Sequence, residues 1–223
     1  MSLGKITSVP VRRARWYDDA CGTAHALELI GERWSLLVVR ELMLGPRRFG
    51  DLKAALNGIS ANVLTQRLEG LERAGVLRKT RLAPPASVQV YELTPWGLEA
   101  EEMLKVMGRW AARSPDHDPT LPLSPVSLIL SMRTMFQAER ARGAAVSIGL
   151  ILEGQPYQAR VHDGRLDAGR GEARDPDAVI TATAEAIAAY LYGGAPLPDG
   201  AVQGDGNALE RYAEMFALPD KAG

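Results

Sequence analysis

Apolar positions recur at helical spacing in four successive blocks at the start of the chain. Ala26, Leu27 and Ile30 mark a helix from about Thr23, and Trp34, Leu37, Val38 and Leu42 mark a second from about Glu32, which Gly45-Pro46 ends. Phe49, Leu52, Ala55 and Leu56 give a third over about 48–56. Asn57-Gly58 tolerate left-handed backbone and Ser60 is a good N-cap, so a tight turn leads into a fourth helix over 60–74. This order predicts a helix-turn-helix unit. Gly75 closes it, Val76 to Leu82 and Val88 to Leu93 read as strands, and Ala83-Pro84-Pro85-Ala86-Ser87 as the turn of a hairpin, or wing. Thr94 and Pro95 then open one more helix, with Trp96, Leu98, Met103, Met107 and Trp110 on a broad apolar side.

The pattern changes after residue 114. Residues 114–125 hold four prolines in twelve positions, which predicts a stiff extended linker and divides the chain into 1–113 and 126–223. Beyond it, 126–142 reads as a helix, 146–153 and 157–162 as strands, and Asp163-Gly164 as a hairpin turn into 165–169. A strand at 179–183, a helix at 185–192, a short strand at 201–204 and a helix at 207–217 complete an α+β arrangement, with a meander as the simplest strand order. The fold class expected is a mainly α winged helix-turn-helix domain followed by an α+β domain.

Charge sharpens this division. Residues 1–114 carry 17 Lys and Arg against 12 Asp and Glu, residues 115–223 only 9 against 15, so the near-zero total hides a basic first half and an acidic second. The first half is the candidate polyanion binder. On a wheel at 100° per residue, Leu64, Leu68 and Leu71 of the fourth helix share one face, and Asn62, Thr65, Gln66, Glu69 and Arg73 lie opposite, with Arg67 on a flank. Amides and a threonine methyl suit base edges in a major groove, and a basic hairpin beside them suits phosphate. The plain alternative is a solvated helix face.

Longer apolar stretches, around 36–39 and 126–132, fall short of the roughly 18 residues of a membrane span. Met1-Ser2-Leu3-Gly4 does not read as a secretory signal, and the lone Cys21 cannot form an internal disulfide, which fits a reducing cytoplasm. His25, His117 and His162 are widely separated, and neither a His-Glu-x-x-His helix nor a Cys-x-x-Cys pair occurs. Gly204-Asp205-Gly206 lacks the rest of a nucleotide loop. The expectation is a cytoplasmic protein that is not an enzyme and uses no metal or cofactor.

Cys21 through Trp110 resemble the HxlR family of winged helix-turn-helix transcriptional regulators. The resemblance is carried by Cys21, the run Ala26 to Leu37, Arg48-Phe49-Gly50-Asp51-Leu52, Ile59-Ser60, Leu64-Thr65-Gln66-Arg67-Leu68, Leu71 to Leu77, Pro85 and Tyr91 to Gly97. Gly22 departs from it, since many members have proline there. It implies a homodimer joined through the helices that flank the winged unit, with two recognition helices on a pseudo-palindromic operator in double-stranded DNA. Ser60, Asn62, Thr65, Gln66 and Arg67 would then face the groove, and Arg47, Arg48, Arg78, Lys79 and Arg81 would approach phosphate. In some members a cysteine at the position of Cys21 senses oxidants or electrophiles. Arg12, Arg13 and Arg15 would lower its pKa, while Asp18 and Asp19, nearer in sequence, would raise it. The plain reading of Cys21 is a small buried apolar residue.

Most of residues 126–219 resemble the sterol carrier protein type 2 domain, through Asp163-Gly164, Asp177 to Thr183, Leu191-Tyr192-Gly193-Gly194, Ala201 to Asp205 and Leu209 to Tyr212. That resemblance implies a small apolar or lipid-like ligand in an apolar tunnel. Candidate lining residues are Met132, Met135, Phe136, Leu150, Leu152, Tyr190, Tyr212, Met215 and Phe216, which otherwise fill an ordinary core. Together the readings describe a DNA-binding regulator with an effector-sensing C-terminal domain. The alternatives are a lipid carrier or scaffold with a vestigial DNA domain, and a regulator whose C-terminal domain only dimerises.

Overall fold

A computed structural model describes residues 17–223, so Arg12, Arg13 and Arg15 lie outside the described residues. Four helices open the chain, α1 (Gly22–Ile30), α2 (Ser35–Leu42), α3 (Phe49–Ala55) and α4 (Ala61–Arg73), followed by an antiparallel hairpin of β1 (Leu77–Arg81) and β2 (Gln89–Leu93). The second helix starts later than its apolar pattern predicts. Trp34 stands just before it at φ 80, a left-handed turn that a bulky side chain rarely adopts, and its indole packs over Gly58 in the turn before α4.

The long helix expected after Thr94 is split into α5 (Pro95–Leu98) and α6 (Ala100–Ala112). Thr94 accepts the Gly97 N–H, and a Cβ on Gly97 would run into the Val76 carbonyl, so this glycine lets the first turn press against the base of the wing.

Residues 114–125 make turns rather than an extended tether. Lys221 Nζ donates to the carbonyls of Ala112 and Ser114, which fixes the chain end against the close of α6. Next comes α7 (Pro125–Met135), which ends well before the expected Arg142 because Phe136 turns extended and bridges to Phe216. A five-stranded sheet follows in the order β5 (Arg165–Arg170), β4 (Gln155–His162), β3 (Val146–Leu152), β6 (Ala178–Thr181), β7 (Val202–Gly204). Strands β3 to β5 form the expected meander, with Asp163 and Gly164 both at positive φ in the turn, but β6 crosses to the far side of β3 and pairs with it in parallel. Helices α8 (Ala184–Gly193) and α9 (Gly206–Ala213) complete the α+β region, and the last helix is shorter than its pattern predicts, leaving Met215 and Phe216 beyond its end.

Helix α7 joins the halves. Its Val126 and Leu130 belong to the apolar cluster of the winged unit, with Val38, Leu52, Leu64, Leu68 and Leu77, whereas Leu128, Ile129 and Met132 belong to the cluster under the sheet. Nine of its eleven residues are buried, because the helix lies between the two clusters, the pattern of a helix within a core rather than on its surface.

Candidate nucleic-acid interface

Helix α4 is fixed from beneath by Leu64, Leu68 and Leu71, all buried, and from its start by Ser60, whose Oγ accepts the Val63 N–H at 3.2 Å. Asn62, Thr65 and Gln66 are left on the exposed side. The wing is set beside this helix by Glu72 of α4, whose Oε1 accepts the Lys79 N–H at 3.3 Å. Arg48, Arg78, Lys79 and Arg81 are all exposed, and Arg78 donates across the hairpin to Glu92 at 2.7 Å.

Two cations expected at the duplex are engaged elsewhere. Arg47 donates from Nη1 to Glu41 Oε2 at 2.7 Å, with its side chain only 16% exposed, and its Nε is enclosed without a partner. Glu41 draws it inward because a fully buried carboxylate must be paired. Arg67 is held against the α1–α2 corner by Glu32 at 3.1 Å, which turns it from the groove-facing set.

Glu41, absent from the sequence reading, is 0% exposed and accepts from Arg40, Arg47 and, at 2.7 Å, from the hydroxyl of Ser124 at the start of α7. A charged residue beside the buried stripe of Val38, Val39 and Leu42 was the available signal. A neighbouring carboxylate, Glu185 at the start of α8, accepts the Leu123 N–H at 2.8 Å, and that bond holds its carboxyl below the usual range. Arg133 of α7, likewise unflagged by pattern, donates to both oxygens of Glu101 on α6 and to the carbonyl of Ala168 on β5.

Cys21 is exposed at the N-cap of α1, contrary to the buried reading. Its sulfur makes no hydrogen bond that caps the helix, yet the Thr23 and then the Ala24 N–H groups point toward it and hold the thiol below its ordinary value. The Asp19 carboxylate accepts the Cys21 backbone N–H at 2.9 Å. Because the folded thiol is more acidic than a free one, its thiolate persists to lower pH. Iodoacetamide should therefore alkylate Cys21 with a pH midpoint below that of the same chain unfolded in denaturant, and a midpoint equal to or above the unfolded one would contradict the N-cap effect.

Helix α6 leaves its apolar side open. Trp110 is 75% and Val106 70% exposed, and with Glu102, Met103 and Met107 they line an open groove of about 530 Å³. Trp96 and Leu98 on α5 are exposed as well, and α1 buries none of its residues.

In the C-terminal region Met132, Met135, Leu150, Leu152, Tyr212, Met215 and Phe216 are buried, and Phe136 and Tyr190 are half-buried. Phe216 packs edge-on against Tyr212 at 4.9 Å and Phe136 at 5.8 Å, so these side chains fill the core under the sheet. The Tyr212 hydroxyl is the exception, buried with no hydrogen-bond partner, while that of Tyr192 pairs with Ser131 at 2.8 Å. Burial pushes the Tyr212 phenol well up.

Residues 29–118 match the model of the HxlR-like helix-turn-helix family. YvaP of Bacillus subtilis, described as an uncharacterized HTH-type transcriptional regulator, is 34% identical over 87 residues, which are 39% of this chain and 80% of YvaP. The chain belongs to the HxlR-like helix-turn-helix family. The uncharacterized HTH-type transcriptional regulator sll1512 of Synechocystis is 40% identical over 88 residues, 39% of this chain and 64% of its own length. The transcriptional regulator YodB of B. subtilis in its reduced form is 29% identical over 44% of this chain and 98% of YodB, with a TM-score of 0.40. The curated relatives are HTH-type transcriptional regulators, and the HxlR-like match ends at residue 118. Among the described residues no helix is long and apolar enough to cross a membrane.

Proposed function

We propose that this chain is a DNA-binding transcriptional regulator that acts as a homodimer and carries a C-terminal, sterol-carrier-like region for a small apolar ligand. The observation that carries the DNA reading is the exposed row Asn62, Thr65 and Gln66 on a helix whose leucines are buried, beside a wing with exposed Lys79 and Arg81. Amides bond adenine edges in the major groove, and wing cations hold the phosphates alongside. Arg48 and Arg78 join the wing cations, and Ser60 sits at the groove end of the helix. The open side of α6 supports dimer formation, since the exposed apolar side chains of Met103, Val106, Met107 and Trp110 adjoin one another and a second copy would cover them. Two recognition helices then fit half-sites about 34 Å apart.

The test is binding to the promoter beside its own gene, compared with random duplex. Asn62→Ala and Gln66→Ala should each weaken the operator complex by about 1–3 kcal/mol and relax its specificity, whereas Arg81→Ala should weaken all sequences alike. Wild-type affinity should fall with salt at a log–log slope of about −0.9 per phosphate contact, so a flat response would remove the DNA reading.

The unpartnered Tyr212 hydroxyl supports the ligand reading, because a guest that brought it a hydrogen-bond partner would relieve a buried polar group. The tight aromatic packing around Phe216 favours the other reading, in which this region only organises the assembly. Native mass spectrometry separates them by the presence or absence of a co-purified small molecule. Exposed Cys21 offers a second input, since an accessible thiolate reacts with oxidants and electrophiles.

A further inference from the structure

The buried Glu41 carboxylate stands in a chain of hydrogen bonds that crosses the molecule. At one end Glu185, in the first turn of α8, accepts the Leu123 N–H at 2.8 Å. The next residue, Ser124, donates its hydroxyl to Glu41 at 2.7 Å, so adjacent residues are gripped by carboxylates from the two halves. Glu41 accepts from Arg47 at 2.7 Å, and the Arg47 backbone exchanges two hydrogen bonds with Tyr91 of β2, at 2.9 and 2.8 Å. Tyr91 lies directly opposite Lys79 in the hairpin.

We propose that Ser124 and Glu41 are positioning residues for the wing, through which the place of α8 in the C-terminal region is read out at the hairpin. An isolated two-stranded hairpin is marginal in water, so its position depends on what it is tied to. This wing is tied on one side to α4 through Glu72 and on the other, through Arg47, to a carboxylate that α7 helps to hold. Because Glu41 is fully buried, the loss of one partner is not made good by water, and the remaining bonds must shift. A displacement of α8 and the 123–124 segment thus reaches Arg47 and Tyr91 through four successive contacts. The consequence for gene control rests on the DNA reading above, but the link itself does not.

The experiment is amide hydrogen exchange by mass spectrometry on the full chain. Ser124 also caps α7, its Oγ accepting the Ser127 N–H at 3.1 Å, so Ser124→Ala should speed exchange in the segments around Arg47 and over 89–93 by about fivefold and by more than in the segments under the sheet, which loss of the α7 cap alone would loosen equally; Ser124→Thr should restore the wild-type rate. Glu185→Ala should act in the same direction. Asp205→Ala removes the cap of α9, whose Oδ1 accepts the Asn207 N–H, and shares no contact with Glu185, Leu123, Ser124, Glu41 or Arg47, so it should leave the wing unchanged. Unaltered wing exchange in Ser124→Ala, or equal acceleration by Asp205→Ala, overturns the proposal. Random duplex DNA added to the same samples separates the two readings. Wing protection that depends on Ser124 without any DNA binding keeps the link and removes the DNA function; normal DNA binding with no dependence on Ser124 does the reverse.

Discussion

Ile129→Ala lowers the thermal midpoint of the winged unit as well as that of the region it belongs to. Ile129 is 0% exposed in the cluster under the sheet, and its truncation should cost about 2–5 kcal/mol, or roughly 5–15 °C for a chain of this size. All four tryptophans precede residue 114, so their fluorescence reports the first half of the chain, whereas far-UV circular dichroism reports the whole chain. The two midpoints should fall together, since α7 supplies Val126 and Leu130 to one core and Leu128, Ile129 and Met132 to the other. Leu130→Ala, on the opposite cluster, should do the same. A drop in the dichroism midpoint with the fluorescence midpoint unmoved would mean that the halves unfold separately and that the shared helix does not couple them.

Trp110→Glu should convert the protein to a monomer and weaken operator binding by about 10²- to 10⁴-fold. Trp110 and Val106 are among the most exposed large apolar side chains of the described residues and line the α6 groove, so a charge there leaves the fold intact and opposes burial against a second copy. The loss follows from the dimer reading: two linked recognition helices gain effective concentration at the second half-site, and a monomer forfeits it. Sedimentation velocity gives the association state, circular dichroism the fold, and gel shift the affinity. If the variant sediments as wild type, the partner of the groove is something else, and if it is monomeric yet binds the operator normally, the two-helix geometry is wrong.

How much of this could be read beforehand follows the range of the forces involved. Helix starts were legible wherever a side chain bonds its own backbone within a turn, as at Ser60 and Thr94, and so was the Asp163-Gly164 turn, where both residues take positive φ. The leucine stripe of α4 and the exposed amides opposite it also came from local periodicity, and the order of elements supported the family resemblance. Where the reading missed, a distant partner had intervened. Phe136 ends α7 early because Phe216 offers it a bridge, and the helix after Thr94 splits where Gly97 must approach Val76. Arg47 looked like its neighbour Arg48 in sequence; only the buried carboxylate of Glu41 sends one inward and leaves the other at the surface.

By itself the sequence determined the helix-turn-helix and wing order, the basic and acidic halves and the faces of α4, because capping, turn chemistry and amphipathic period act over a few residues. Tertiary structure alone decided that α7 is shared, that β6 joins β3 in parallel, and which charges are spent on Glu41. Those outcomes depend on groups that meet across 80 residues or more in the case of Glu41 and Ser124, where burial makes pairing obligatory but leaves no periodic trace along the chain.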